Sequence, residues 1–343
     1  MDYGAIDLHV RHTLIRFVNQ EGTVLLDRRV TTTVEELQHV FGGRPRARIL
    51  IESGTDSEWV AQAIEACGHE VIVADPTYAL MYGHRDPRIK TDRRDVAALA
   101  EACRLGIYRR AHRVSAAQRE RRRALRVREQ LVRTRTQLIN LVRAQLRQEG
   151  YRLPAGCSTT VVRRCQALPL PPGLRAALEP VLTVLTTIGD ELRACTETLA
   201  AVAAQDPIVQ RLQTAPGVGV ITALTYRAVV DDVARFADAR GVAAYLGLVP
   251  REDSSGTRQR KGTITKAGPP GLRTLLVQAS WVVWRQRRGG GALHAWVHQL
   301  AARRGRRIAV VALARRLGRI LFAMWRDATD FGVAPTEPGA AVA

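Results

Sequence analysis

Between Ser115 and Glu149 the chain carries neither glycine nor proline. Val127, Leu131, Leu138, Val142 and Leu146 fall on one helical stripe there, and arginine covers much of the rest. The segment therefore predicts one long amphipathic helix. Gly150 to Pro172 reads as a loop. Beyond it Leu174, Leu178, Val181, Leu185, Ile188, Leu192, Cys195, Leu199 and Val202 alternate spacings of four and three, a heptad seam that predicts a second long helix. Pro180 is expected in the first turn of that helix, because an interior proline removes a hydrogen bond and clashes with the turn before it. An antiparallel helical pair is expected, with a seam that offers itself to a second copy of the chain. Around this middle the 343 residues divide into 1–112, 113–205 and 206–330, with a Pro-, Gly- and Ala-rich tail, 331–343, expected to be disordered.

The first region opens with strand patterns at Tyr3–His9, Thr13–Asn19 and Thr23–Val30, the last two joined by the turn Gln20-Glu21-Gly22. A helix starts after Thr33, which forms a capping box with Glu36. The apolar run Ala47–Ile51 ending in Glu52 reads as a buried strand, followed by a helix over Ser57–Cys67, a strand over Glu70–Ala74 and a helix over Thr91–Leu105. The order β-β-β-α-β-α-β-α predicts a mixed α/β sheet of the RNase H-like kind. The third region reads as helical, with a Pro216-Gly217-Val218-Gly219 turn, a helix ending near Tyr245, a polar loop from Pro250 to Gly268, and two or three helices to about Arg326.

Lysine and arginine number 52 against 32 acidic residues, a net charge of +20. Such a surface attracts polyanions, and nucleic acid is the expected partner because neutralising phosphates releases condensed counterions. A membrane is not expected: the apolar run Ile308–Trp325 is interrupted by Arg315, Arg316 and Arg319 and reads as an ordinary helix. The five cysteines are widely spaced, with no C-x-x-C pair and no secretory segment ahead of them. A reducing, cytoplasmic and nucleoid-associated setting without structural zinc is therefore expected. His294 and His298, four apart, read as surface histidines.

Four carboxylates stand out by position. Asp7 lies on the first strand, Glu52 ends the fourth, and Asp92 and Asp95 share one face of the helix that follows. Taken singly, each is an ordinary strand end or helix cap. Together in this order they predict one cluster, and crowded carboxylates repel unless a cation neutralises them. Hard Mg²⁺, or Mn²⁺, is the expected occupant. Two such ions would stabilise the entering and leaving oxygens of a phosphodiester displacement. Lys90, just ahead of Asp92, is a phosphate contact or surface charge.

Ser254 and Ser255 sit in a loop beside Arg258, Arg260 and Lys261, the exposure and positive charge that attack on a phosphodiester requires, although Asp-Ser-Ser-Gly is also common turn composition. The turn holding Gly217 and Gly219 has the form of a helix-hairpin-helix, in which backbone N–H groups hold a phosphate, or of a plain tight connection. Arg119, Arg122 and Arg126, in a dense run with Arg121, Arg123 and Arg128, are expected to follow a nucleic-acid groove.

In this order the segments Gly4-Ala5-Ile6-Asp7, Ile51-Glu52-Ser53-Gly54, Lys90-Thr91-Asp92 with Asp95, Ala215-Pro216-Gly217-Val218-Gly219, Tyr245-Leu246-Gly247-Leu248-Val249-Pro250, Ser254-Ser255-Gly256 and Gly262-Thr263-Ile264-Thr265-Lys266 resemble the DEDD transposases of the insertion sequence 110 family, over about residues 3–326. Thr257, where a second glycine is frequent, and Val96, where alanine is usual, are the departures. The resemblance implies a RuvC-like domain over 1–112, a coiled-coil middle, and a C-terminal transposase domain. It makes Asp7, Glu52, Asp92 and Asp95 the metal ligands and Ser254 the nucleophile that joins covalently to DNA, with Ser255 in reserve. Lys266 is included with Arg258, Arg260 and Lys261 among the expected nucleic-acid contacts. It further implies donor and target DNA as substrates, a structured guide RNA that selects them, and a dimer or tetramer with composite sites. The rival expectations are a structure-selective nuclease using water at the acidic site, and a non-catalytic nucleic-acid scaffold.

Overall fold

The computed structural model describes residues 1–83, 91–252, 260–286 and 291–332. The chain forms two compact units, Met1–Val114 and Ser115–Ala343.

In the first unit β1 (Asp2–Leu8), β2 (His12–Val18) and β3 (Val24–Thr31) form an antiparallel meander. Helix α1 (Val34–Phe41) follows, with the Thr33 hydroxyl accepting from the Glu36 N–H as its cap. Then come β4 (Ala47–Glu52), α2 (Ser57–Glu65), β5 (Glu70–Ala74) and α3 (Asp92–Leu105). The sheet order is β3-β2-β1-β4-β5, with β4 parallel to both β1 and β5. Side chains alternate across the sheet. Ile6, Ile49 and Ile51 pack with α1 and α2 on one face, whereas Ala5, Leu50 and Ile72 pack with α3 on the other. Helices on both faces explain why Ala47–Ile51 and Glu70–Ala74 lack a polar alternation.

The second unit is built from α4 (Ala116–Gln148), α5 (Val161–Gln166), α6 (Pro172–Ala204), α7 (Pro207–Gln213), α8 (Val220–Val230), α9 (Ala239–Tyr245), the short strands β6 (Pro250–Glu252) and β7 (Lys261–Ile264), and α10 (Pro270–Arg285), α11 (Gly291–Arg304) and α12 (Arg306–Arg326). Helices α4 and α6 pack antiparallel. Leu125 clusters with Leu199 and Ala203, Arg128 donates to the Thr196 hydroxyl at 3.0 Å, and Ile139, Val142 and Leu146 cluster with Leu178, Leu182 and Leu185. The main core gathers α7–α12 around the fully buried Tyr226, whose hydroxyl donates to the Gly318 carbonyl at 2.8 Å.

Several expectations for this unit are corrected. Pro180 lies inside α6, not in its first turn. It is exposed, as is Ala176, whose carbonyl the missing N–H leaves unbonded, so water can satisfy that group. Val127 is 57% exposed rather than on the buried stripe, which runs instead through Leu125, Ile139, Val142 and Leu146. The region 150–172 is not all loop, because α5 buries Val161 and Cys165. The polar loop 250–268 contains the antiparallel pair β6 and β7. Among the described residues no helix is long and apolar enough to cross a membrane.

Candidate functional site

Strand alternation puts Asp7 and Glu52 together. The last paired positions of β1 and β4 are Ile6 and Ile51, and the next residue on each strand is an acid. Both acids follow side chains that face α1 and α2, so both turn to the face covered by α3. That helix begins with the other two. Thr91 caps it, accepting from the Arg94 N–H at 3.4 Å, and Asp92 and Asp95 fill its first turn, where negative charge is favoured. Asp95 is buried, while the Asp92 side chain is 59% exposed.

His9 completes the arrangement. Its Nε2 lies 3.4 Å from Asp7 Oδ2 and 3.7 Å from Asp92 Oδ2, so it bridges the strand and the helix. Asp7, His9 and Asp92 are the one set of three or more possible metal donors that come within 4.8 Å of one another among the described residues. Glu52 accepts a hydrogen bond from the Tyr82 hydroxyl, which fixes one of its two oxygens. Burial holds the Asp7 carboxyl above its ordinary range. His9 opposes that rise, and the negative charges of Asp92, Glu52 and Asp95 add to it. The three other acids therefore all act electrostatically on Asp7. A cleft of about 430 Å³ opens beside His9 and Asp92, lined also by Arg11, His12 and Arg29. The sequence reading missed His9 and this basic lip. The signal available was only a histidine two residues after a strand acid.

The donor set, carboxylate oxygens with one imidazole, suits a hard or borderline divalent cation. A cation there would offset both the burial and the acid-acid repulsion that raise Asp7.

A family model described as Transposase IS116/IS110/IS902 family matches residues 209–295, and a transposase model of the DEDD, IS110 type matches residues 5–150. The transposase for insertion sequence element IS1111A of Coxiella burnetii is 32% identical over 258 residues, covering 73% of this chain and 71% of the relative. A probable family 20 transposase of Pseudomonas aeruginosa is 31% identical over 84% of this chain and 87% of its own. The transposase for element IS1328 of Yersinia enterocolitica is 28% identical over 95% and 97%. The chain belongs to the IS110/IS116/IS902 family of transposases.

The basic residues of this transposase divide between surface and interior. Arg126 is exposed and Arg119 half-buried. Arg122, expected in a nucleic-acid groove, donates to the carbonyls of Ala228 and Val229 at 2.8 and 2.9 Å. Those carbonyls end α8, where helical partners run out. Burial correspondingly pushes the Arg122 guanidinium below its usual range. Arg121 is also turned inward, to Asp206 at 2.6 Å. Gly219 is exposed and caps α8. Gly217 has φ +77°, and a Cβ there would stand 2.5 Å from the Ala279 carbonyl oxygen, so its glycine is required by close packing on α10. Gly217→Ala is expected to destabilise the protein by at least ~1 kcal/mol in denaturant titration, whatever the turn binds. Lys266 is exposed at φ +56°, an uncommon backbone for a side-chain-bearing residue, with its N–H bonded to the Gly247 carbonyl. Arg260 is exposed, and Lys261 opens β7, its side chain outside the described set. Lys90, Ser254, Ser255, Thr257 and Arg258, with the expected tail beyond 332, lie outside the described residues. His294 and His298 stand with ring centroids 4.3 Å apart, and His298 stacks on Trp284 at 4.0 Å.

Proposed function

We propose that this transposase cuts and exchanges DNA strands through a serine-linked intermediate, with an RNase H-like, RuvC-type first domain over 1–112 supplying the acidic site. The supporting observation is the meeting of Asp7, His9 and Asp92 within ligand distance, with Glu52 and Asp95 near enough for their charge to act on Asp7, whose carboxyl is raised first by burial and then by these acids. The four acids would hold a divalent cation, Mg²⁺ or Mn²⁺, together with His9, which lies beside Asp7 and Asp92. When bound, the cation neutralises phosphate oxygens and the charge that builds up at the entering and leaving oxygens. The chain's own groups do the rest. Tyr82 keeps Glu52 oriented, and Arg11 and Arg29 on the cleft lip draw the DNA backbone in.

The nucleophile in this reading is Ser254, with Ser255 in reserve. Its hydroxyl oxygen forms a bond to phosphorus, the bond from phosphorus to the 3′ oxygen breaks, and the proton passes to that departing oxygen. The phosphoserine conserves the bond energy, so rejoining to a new 3′-hydroxyl reverses the step. Arg258, Arg260, Lys261 and Lys266 flank this loop and hold strands by their phosphates. A structured guide RNA selecting donor and target fits a chain of net charge +20 with only 5% aromatic residues, which is suited to gripping backbones. In this reading 113–205 is the coiled-coil region that serves assembly into a dimer or tetramer, and 206–330 carries the serine loop.

A calorimetric Mn²⁺ titration tests the metal half. The unaltered chain is expected to bind, Asp7→Asn to lose binding, and His9→Gln to bind ~10-fold more weakly. Unchanged affinity in Asp7→Asn would remove the metal reading. Unchanged affinity in His9→Gln alone would leave the acids as ligands without it.

A further inference from the structure

The second unit holds a cavity of about 680 Å³ between α4, α8 and the start of α10, which the reading above leaves unused. Four guanidinium-bearing residues line it, Arg122, Arg126, Arg128 and Arg133, against one carboxylate, Glu129, which is paired to Arg133 at 2.6 Å. Arg126 has no carboxylate partner among the described residues. Burial holds both Arg122 and Arg128 below the usual guanidinium range; Tyr245 and Asp231 oppose this at Arg122, while Arg126 adds to it there and Arg135 adds to it at Arg128. The cavity therefore concentrates positive charge where water screens it poorly, a condition that an entering anion relieves. Leu125, Val132, Ile221, Val229, Leu272 and Leu275 give it apolar walls, with Tyr245, Thr225, Thr274 and Gln278 among the remaining lining.

The ligand that matches both properties carries an anionic group joined to a flat, largely apolar body. We infer that this cavity receives one unpaired nucleotide of a single strand, its base against the apolar walls and its phosphate at Arg126. A duplex keeps its bases stacked inside and offers only phosphate, which would leave the apolar volume unfilled. Strand exchange exposes unpaired bases at the moment when a duplex is opened, and holding one out of the stack would keep the opened strand from re-annealing. A volume of about 680 Å³ lies within the range of small-molecule sites. The inference extends the nucleic-acid part of the proposed function and does not depend on its chemistry.

The test is fluorescence anisotropy with the full chain at fixed salt and without divalent metal, using labelled octathymidylate and a duplex of equal length. Arg126→Glu removes the phosphate contact. Leu275→Trp fills the cavity without changing charge, and Thr225→Leu, from the α8 wall, serves in its place if the first filler melts early. Arg123→Glu, exposed on the same helix and not part of the lining, is the control for general electrostatics. Expected is a loss of at least ~10-fold for octathymidylate with Arg126→Glu and with a filler, while duplex affinity for the fillers stays within ~3-fold. Equal losses on both probes for Arg126→Glu and Arg123→Glu would reduce the cavity to diffuse charge and overturn the inference. So would fillers that bind octathymidylate normally, including the case in which they instead change the molecular mass in light scattering and assign the cavity to contact between chains. The assay contains no divalent metal and reads no cleavage, so a negative result here leaves the acidic-site reading standing.

Discussion

Mixed with DNA carrying the ends of its element, the RNA proposed to guide it and Mg²⁺, the unaltered protein is expected to yield a protein–DNA adduct that survives denaturing electrophoresis, and Ser254→Ala to yield none. The expectation follows from the chemistry of a serine ester of phosphate, which outlasts unfolding because it is covalent. Ser255→Ala separates the two candidates, since only the true nucleophile is indispensable. If strands are cut but no adduct forms in any variant, water is the nucleophile and the protein is a hydrolytic nuclease. If Ser254→Ala forms the adduct and Ser255→Ala does not, the role passes one residue along.

The second large effect is expected at Asp7. Replacing it with asparagine keeps shape and hydrogen bonding while removing the one charge of the cluster that burial and three neighbouring acids already disfavour. Strand cleavage is expected to fall by at least ~100-fold, the scale on which losing a single charge-organising group lowers rates in other enzymes. DNA affinity at low metal is expected to hold or rise slightly, since a negative charge near the phosphates has gone. Thermal stability is expected to hold or increase for the same reason. Unchanged cleavage would place the cutting chemistry outside the acidic cluster, and no cleavage even by the unaltered protein would return it to the scaffold reading.

How far the residues alone could reach varies with the kind of signal each element carries. Asp7 and Glu52 were legible because strand alternation and an acid at each strand end are local patterns. Thr91 with Asp92 and Asp95 was legible as a helix start for the same reason. His9 was not, since one histidine beyond a strand has no periodicity to betray it, and only the folded sheet shows that it spans two acids. The hydrogen bonds of Arg122 were not legible, because arginine on a polar helix reads as surface and its partners, the last carbonyls of α8, lie 106 and 107 residues away. Pro180 misled because the rule against interior prolines assumes that the orphaned carbonyl is buried, and here that side of α6 is wet. The β6–β7 pair hid in a polar stretch because two short strands in one ladder leave little hydrophobic trace. The mixed sheet and the helical remainder, by contrast, rest on long, repeated patterns that survive such local exceptions.

The join between β1 and β4 also sets a tolerance. Asp7 and Glu52 stand one step past the pair Ile6 and Ile51, so their lateral spacing is a property of the peptide ladder, near ~4.8 Å, and owes little to the size of any core residue. Drift in the hydrophobic interior can therefore accumulate over evolution without retuning the acids. An inserted or deleted residue in Asp2–Leu8 cannot be absorbed that way, because it would carry Asp7 to the opposite side of the sheet.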